Sequence, residues 1–227
     1  MKLVVFGDSF PYGCIKEPYR IPREESMKIN FATQLTKLDN NFTSVKNYGR
    51  PGAGNSTIFD KVLNCIDYYN KDVFYLVCWS APSRQAYYDL MREKYVDLGI
   101  KKLPLYQQID QDLEFAKFIG FCSSILKYHN IPFAQISSFS PLPVNNIFPT
   151  DYYENCNVIE AQYPLTNTLF DIIAGHFCTD YNVKDPELNH DKFDVKPSKL
   201  ISGCLHPTEI GHEKIAEVLN PILKNYL

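Results

Sequence analysis

The tripeptide Gly7-Asp8-Ser9, near the start of the chain, contains the first side chain with clear reaction chemistry. A serine hydroxyl becomes a nucleophile when a neighbouring base takes its proton. Residues 3–6 form an apolar run rich in β-branched residues, which predicts a strand buried on both faces. Gly7 lets the backbone turn at the carboxyl end of this strand, where open α/β sheets place their sites. Ser9 is therefore a candidate nucleophile at the mouth of a sheet.

The same tripeptide has two other interpretations. Asp and Ser are common in turns and at helix N-caps for local hydrogen-bonding reasons alone. A loop after the first strand can also cradle a phosphate, as in flavin and nucleotide folds. However, Gly7, Ser9 and Gly13 match neither G-x-G-x-x-G nor G-x-x-x-x-G-K-[ST]. A purely structural turn thus remains the alternative to a nucleophile.

Two further segments are predicted to bring polar groups to the same edge. Residues 47–55, Asn-Tyr-Gly-Arg-Pro-Gly-Ala-Gly-Asn, lie between a predicted strand at 42–48 and a predicted helix at 56–69. Backbone N–H groups at such a turn can form an oxyanion hole, although a flexible left-handed turn explains its glycines equally well. Near the other end of the chain, Pro207 suits a first helical position, which leaves His206 on the preceding loop and free to point inward.

The elements between these segments alternate between strands and helices. Residues 72–79, DVFYLVCW, predict the clearest buried strand, and residues 131–137 predict a fourth. A helix capped by Ser26 or Asn30, a long helix at 105–128 and a last helix ending near 224 are predicted, with a helical excursion at 85–104. Right-handed crossovers would then give an α/β fold, a three-layer α/β/α sandwich with a mostly parallel sheet.

Residues 138–204 interrupt this alternation, because prolines break the pattern and only 168–177 looks helical. An irregular stretch of this length inside a domain usually serves a site or a partner. The chain shows no repeat, low-complexity tract or linker. We therefore expect residues 1–227 to form a single domain with a long irregular segment at about 138–204.

The composition excludes several functional classes. The net charge of −3 and pI near 6.0 provide no basic surface for nucleic acid, and no apolar run reaches the length of a membrane span. No secretory leader pattern opens the chain, and the seven cysteines are odd in number without a C-x-x-C pair. These features predict a cytoplasmic protein with reduced thiols. They leave its oligomeric state open.

A zinc site is an alternative use of two mirror-image pairs, His176-Phe-Cys178 and Cys204-Leu-His206. Two imidazoles and two thiolates are a zinc ligand set. Histidine and cysteine one residue apart is not the usual spacing of structural zinc sites, so no metal is predicted.

Two separated blocks together resemble the GDSL/SGNH hydrolase superfamily: Gly-Asp-Ser-Phe at 7–10, and His206-Pro207 before the last helix. This resemblance implies a flavodoxin-like sheet, with Ser9 as the nucleophile and His206 as its general base. The turn at 47–55 is similar to the second block of the superfamily. That likeness implies that the Gly52 N–H helps to form the oxyanion hole, with Asn55 close behind.

The resemblance also implies an activity and a substrate class. It indicates a serine esterase that forms an acyl-enzyme and acts on carboxylic esters, thioesters or O-acetylated sugars. The expected partner is a small-molecule ester or an acetylated glycan, and no organic cofactor or metal is expected.

The third block departs from the pattern of the superfamily. Members usually have Gly-x-Asn-Asp after the third strand, and the asparagine is an oxyanion donor. Residues 79–84 read Trp-Ser-Ala-Pro-Ser-Arg, without an asparagine. Asn55, the Ser80 hydroxyl or a backbone N–H would have to replace it. This Trp-Ser block is similar to that of viral or phage-encoded relatives.

The histidine block departs from the pattern as well. The acid of the superfamily usually lies three residues before the histidine, where this chain has Gly203. Asp191 and Asp194 are the first candidates for a carboxylate that arrives from elsewhere, while Asp8 is expected to order the serine turn. A backbone carbonyl could instead orient His206 in a Ser–His dyad. An impaired site is the third possibility, and it would make the chain a binding or structural module.

Overall fold

The computed structural model describes residues 1–13, 22–38, 41–66, 72–82, 84–89, 94–100, 105–138, 148–159, 168–174, 199–202 and 206–227. The strands in these ranges are β1 (Lys2–Phe6), β2 (Ser44–Asn47), β3 (Val73–Trp79), β4 (Arg84–Asp89), β5 (Lys94–Ile100) and β6 (Phe133–Ser137). The helices are α1 (Ser9–Tyr12), α2 (Arg23–Ile29), α3 (Phe31–Leu38), α4 (Asn55–Cys65), α5 (Leu105–Tyr128), α6 (Thr150–Asn155), α7 (Leu169–Ala174) and α8 (Glu209–Leu223), followed by a 3₁₀ turn at Lys224–Tyr226.

Four strands form a parallel sheet in the order β2-β1-β3-β6. This is the flavodoxin-like order, in which the chain reverses direction across the sheet next to the first strand. Val5 pairs with both Asn47 and Leu76, and Trp79 pairs with Ser137. The carboxyl ends of the strands therefore meet at one edge. The α/β fold class predicted from the sequence is confirmed.

The sheet has a hydrophobic core on each face. Along β1, Leu3 and Val5 belong to one core, and Val4 and Phe6 belong to the other, because successive side chains of a strand point to opposite faces. Helices α3, α7 and α8 cover the first core, and α4, α5 and α6 cover the second. Each large side chain so buried contributes roughly 1.5–3 kcal/mol. These two layers of helices hold the edge of the sheet in place.

A buried glutamine joins the sheet to its second layer of helices. The Trp79 indole N–H donates to Gln135 Oε1 at 2.9 Å. The amide nitrogen of Gln135 donates to the carbonyls of Cys156, at 2.7 Å, and Ile119, at 3.3 Å. The side chain is fully buried and satisfied, so it fixes the end of β3 against α5.

The predicted helical excursion at 85–104 is wrong, because β4 and β5 form an antiparallel pair there. Tyr88 pairs with Tyr95, and the register shifts between Gln85 and Ala86. Tyrosine and valine favour strands, whereas the charges between them resembled the polar face of a helix.

Two other boundaries differ from the predictions. Helix α2 begins at Arg23, ahead of both predicted caps, and the chain is extended at Asn30 before α3 begins. Asn30 Oδ1 accepts a hydrogen bond from the Thr33 N–H at 3.0 Å, which makes it the cap of α3. Helix α6 lies in the segment 138–204, where only 168–177 was expected to be helical.

Candidate active site

The turn after β1 is held by glycine geometry and by a buried carboxylate. A Cβ on Gly7 would lie 2.6 Å from the Cys78 carbonyl oxygen, so no other residue fits there. Asp8 is fully buried and caps α1: its Oδ1 accepts from the Phe10 N–H at 3.0 Å and from the Ser138 hydroxyl at 2.9 Å. Asp8 therefore orders the turn that presents Ser9 as the first residue of α1.

The structure brings Ser9 and His206 together. The Nε2 atom of His206 lies 2.7 Å from Ser9 Oγ, although 197 residues separate the two along the chain. The imidazole is half-buried beside the ring of Phe10, at 5.8 Å between centroids. A nitrogen at this distance can take the proton of the hydroxyl, which is the geometry required of a general base and its nucleophile.

The backbone of His206 is fixed by a short antiparallel contact ahead of α8. The carbonyl of His206 accepts from the N–H of Ser202 at 2.9 Å and from its hydroxyl at 2.8 Å. Ile201 pairs with Pro207, and Thr208 caps α8 by accepting from the Gly211 N–H at 3.1 Å. Pro207 therefore precedes the cap, and its predicted place at the first helical position is wrong. His206 lies outside the helix, as expected.

The turn after β2 is clamped onto α1. The Asn47 amide donates to the Pro11 carbonyl, and its Oδ1 accepts from the Gly49 N–H at 2.7 Å. The Arg50 N–H donates to the Gly7 carbonyl at 3.0 Å. A Cβ on Gly49 would lie 2.6 Å from the Tyr12 nitrogen, so the contact between the two segments requires glycine.

Gly52 lies at the exposed tip of this turn with a φ of +79°, a left-handed conformation that favours glycine. Ser9 begins α1, so its N–H has no partner within the helix. Neither the Ser9 N–H nor the Gly52 N–H donates a hydrogen bond to the part of the chain that the structure describes. Both N–H groups belong to turns that follow parallel strands at the carboxyl edge of the sheet.

The side chain of Asn55 is occupied by the backbone at the end of β3. Its Oδ1 accepts from the Ser80 N–H at 2.8 Å, and its amide donates to the carbonyls of Ser80, at 3.1 Å, and Ala81, at 3.4 Å. The amide nitrogen therefore has backbone acceptors at the end of β3, and the side chain is engaged in holding that segment. The Ser80 hydroxyl is fully buried and has no hydrogen-bond partner within the described ranges.

The remaining residues predicted for the site lie outside the described residues. Asp191 and Asp194, the candidate acids, are among them. So are His176, Cys178 and Cys204 of the metal alternative. Among the residues that the structure does describe, no group of three or more His, Cys, Asp or Glu could hold a metal ion. No helix of the described chain is both long and apolar enough to cross a bilayer.

His212 is buried one turn into α8, close to His206. Its ring stacks on Phe31 at 6.2 Å between centroids, and neither ring nitrogen has a hydrogen-bond partner in the described chain. Burial, with a smaller effect of the nearby His206, lowers the pKa of His212 to about 3. The imidazole is therefore neutral and supports the histidine loop as a packing residue.

Two residues that hold the site were not predicted. Asn47 forms an Asx turn with Gly49, and the signal for it was the asparagine two residues before a glycine. Ser138, which binds Asp8, directly follows β6 at the carboxyl edge of the sheet. Its position at a strand end was the signal that could have identified it.

The fold is that of GDSL/SGNH hydrolases, which confirms at the level of the fold the likeness that the motifs indicated. TesA aligns with a TM-score of 0.54 and 12% identity over 100% of both chains. A lipolytic protein of the G-D-S-L family from Veillonella parvula DSM 2008 aligns at 0.51 and 12%, over 99% of this chain and 98% of its own. The acetyl xylan esterase AlAXEase aligns at 0.50 and 11%, over 98% and 99%. No protein-family model and no curated protein sequence matches the chain.

Proposed function

We propose that this chain is a serine esterase of the SGNH type and a divergent member of the GDSL/SGNH superfamily. The observation that supports this most directly is the 2.7 Å contact between His206 Nε2 and Ser9 Oγ at the carboxyl edge of the sheet. The likeness in fold to a lipolytic G-D-S-L protein and to an acetyl xylan esterase adds to it.

The proposed reaction proceeds through an acyl-enzyme. His206 takes the proton of Ser9 as Ser9 Oγ attacks the ester carbonyl carbon, and the carbonyl oxygen becomes an oxyanion. The free N–H groups of Ser9 and Gly52 donate to this oxyanion. The tetrahedral intermediate collapses, and the leaving alcohol takes the proton from His206. Water, activated by His206, then attacks the acyl-enzyme, which releases the carboxylic acid and restores the Ser9 hydroxyl.

The oxyanion hole proposed here has two donors rather than three. Asn55 is hydrogen-bonded to backbone carbonyls, and the Ser80 hydroxyl is buried. Loss of one donor lowers kcat by about 10²–10³-fold in enzymes of this kind. Slow turnover of unactivated esters is therefore expected. The proposed substrates are O-acetyl groups on carbohydrate.

Asp191 or Asp194 is proposed to orient His206 through Nδ1, which would stabilise the imidazolium during attack. A backbone carbonyl that accepts from Nδ1 is the alternative, and the pair would then act as a dyad. Replacement of each aspartate by asparagine distinguishes the two. The dyad predicts that both variants keep the wild-type kcat, whereas a triad predicts a large loss in one of them.

The proposal is tested by labelling with a fluorophosphonate and detection of the adduct by intact mass, with turnover of p-nitrophenyl acetate in parallel. One adduct is expected in the wild type, none in Ser9→Ala, and a slower reaction in His206→Ala. Ser124→Ala is the matched control, because this serine is exposed on α5 and bonds only to its own helix. Absence of both adduct and turnover in folded wild-type protein would refute the esterase.

A non-catalytic binding module is the second candidate. The occupied amide of Asn55 favours it, since the third oxyanion donor is missing. This alternative predicts no reaction with the fluorophosphonate, and ligand binding that is unaltered in Ser9→Ala.

A further inference from the structure

An open groove of about 770 Å³ crosses the edge strand β2 beside the candidate active site. Tyr12 and Met27 line it on the side of α1 and α2, and Lys61 lines it on the side of α4. Between them lie residues of β2 and of the turn that follows. The groove is thus built from three segments that the fold brings to the exposed edge of the sheet.

The groove lies beside segments that carry the site around Ser9. Tyr12 ends the four-residue helix that Ser9 begins, so about 4.5 Å along the helix axis separates the two. Gly49, Arg50 and Pro51 line the groove and lead directly to Gly52. These two connections place the groove next to the residues around Ser9.

Two ammonium groups meet over one aromatic ring in this groove. Lys46 Nζ lies 5.0 Å and Lys61 Nζ lies 4.8 Å from the centroid of the Tyr48 ring. The ring of Phe6 stacks on Tyr48 at 5.4 Å with an interplanar angle of 12°, so it covers the inner face. Each ammonium group lies within the distance at which a ring provides a cation–π attraction.

Lys46 and Lys61 bring positive charge to the groove. Neither Lys46 nor Lys61 forms a salt bridge with any part of the chain that the structure describes. Among the described residues that line the groove, Arg50 is a further basic residue and Glu24 is an acidic one. The neighbouring Tyr48 side chain raises the pKa of Lys46, chiefly through hydrogen bonding, and an exposed lysine is charged at neutral pH in any case.

We propose that this groove binds an anionic group, a carboxylate or a phosphate, carried by the non-acyl part of the ester substrate. The inference rests on the proposed esterase and narrows its substrate to an acidic O-acetylated glycan. Two neighbouring ammonium groups repel each other, and an anion between them relieves that repulsion while it forms charge-assisted hydrogen bonds. A neutral glycan would neither relieve the repulsion nor form charge-assisted hydrogen bonds.

Calorimetric titration of the Ser9→Ala protein, which cannot form the acyl-enzyme, measures this binding. The probes are O-acetylated oligogalacturonate, O-acetylated glucose 6-phosphate and neutral O-acetylated xylo-oligosaccharide. We expect Lys46→Gln with Lys61→Gln to weaken binding of at least one anionic probe roughly three- to thirty-fold. The preferred anionic probe identifies the group, and its binding should weaken as salt is added.

The matched control is Lys117→Gln with Lys224→Gln, which removes the same charge from two exposed positions away from the groove. Equal affinity of both double variants for both anionic probes would overturn the proposal. So would binding of the neutral probe as tight as that of the better anionic one. Circular dichroism melting of each variant excludes unfolding as the cause of a loss.

Failure of the groove and failure of the esterase give different results. If the wild type hydrolyses p-nitrophenyl acetate and both double variants bind the probes equally, anion binding by the groove is refuted and the esterase proposal stands. An unreactive wild type whose binding of an anionic probe depends on Lys46 and Lys61 refutes the esterase and retains the groove as an anion site.

Discussion

Acid should destabilise this protein through His212. The imidazole is fully buried, it stacks on Phe31, and its nitrogens find no partner in the described chain. Its pKa of about 3 in the folded protein lies well below the ordinary value of 6.5 for an imidazole. Protonation of His212 in the folded state would leave an uncompensated charge in the core, and this cost holds the pKa of the imidazole far below its usual range.

The sign and size of the effect follow from this difference in pKa. Above pH 6.5 the side chain is neutral in both states and imposes no penalty. As the pH falls below 6.5, the imidazole of His212 becomes protonated in the unfolded chain but stays neutral in the folded protein. The free energy of unfolding therefore decreases until the pH reaches about 3. At 1.36 kcal/mol per pH unit, the free energy of unfolding should fall by about 3 kcal/mol between pH 7 and pH 4 through this group alone.

Urea unfolding at pH 7, 6, 5 and 4, followed by the fluorescence of Trp79, tests this prediction in the wild type and in His212→Leu. The variant should lose about 3 kcal/mol less than the wild type over this range. His129→Leu is the control, because it removes a histidine that lies partly exposed after α5, outside the core that holds His212. Equal losses in the wild type and His212→Leu would refute the burial of a neutral imidazole.

Two further predictions concern the turn after β2. Asn55→Ala removes three hydrogen bonds to the backbone of Ser80 and Ala81, so the free energy of unfolding should fall by about 2–3 kcal/mol. Urea titration measures this loss, and Asn64→Ala is the control because Asn64 is exposed and bonds to the Asp60 carbonyl of its own helix. Gly49→Ala places a Cβ against the Tyr12 nitrogen, so it should lower kcat/KM for p-nitrophenyl acetate at least tenfold. An unchanged kcat/KM would show that the contact between Gly49 and α1 does not position the proposed oxyanion donors.

The sequence was most informative where apolar runs and local chemistry agree. Strands β1 and β3 are almost wholly apolar, and each ends at a glycine or serine turn, so both the sheet and its functional edge could be predicted. Ser9 and His206 were identified from the short motifs around them. Their separation of 2.7 Å depends on the packing of α8 beside the sheet, which no local pattern specifies.

The errors and omissions share a physical cause. Residues 84–100 mix tyrosines with charges, and this pattern supports a helix or a hairpin until a neighbouring element is placed against it. The contact of Asn47 with Pro11 spans 36 residues, and that of Ser138 with Asp8 spans 130. Such polar contacts are selected by tertiary geometry, because a buried polar group must find a partner wherever the fold provides one.

Asn55 explains how the site can hold its shape without the asparagine usual in the third block. Its single amide accepts from and donates to the backbone at Ser80, so the turn after β2 and the end of β3 move together. The same hydrogen bonds engage the amide of Asn55, so the proposed oxyanion hole relies on the N–H groups of Ser9 and Gly52. An esterase with this arrangement would have a rigid but weaker oxyanion hole. Aryl esters, whose leaving groups need less stabilisation of the intermediate, should therefore be cleaved far faster than alkyl acetates.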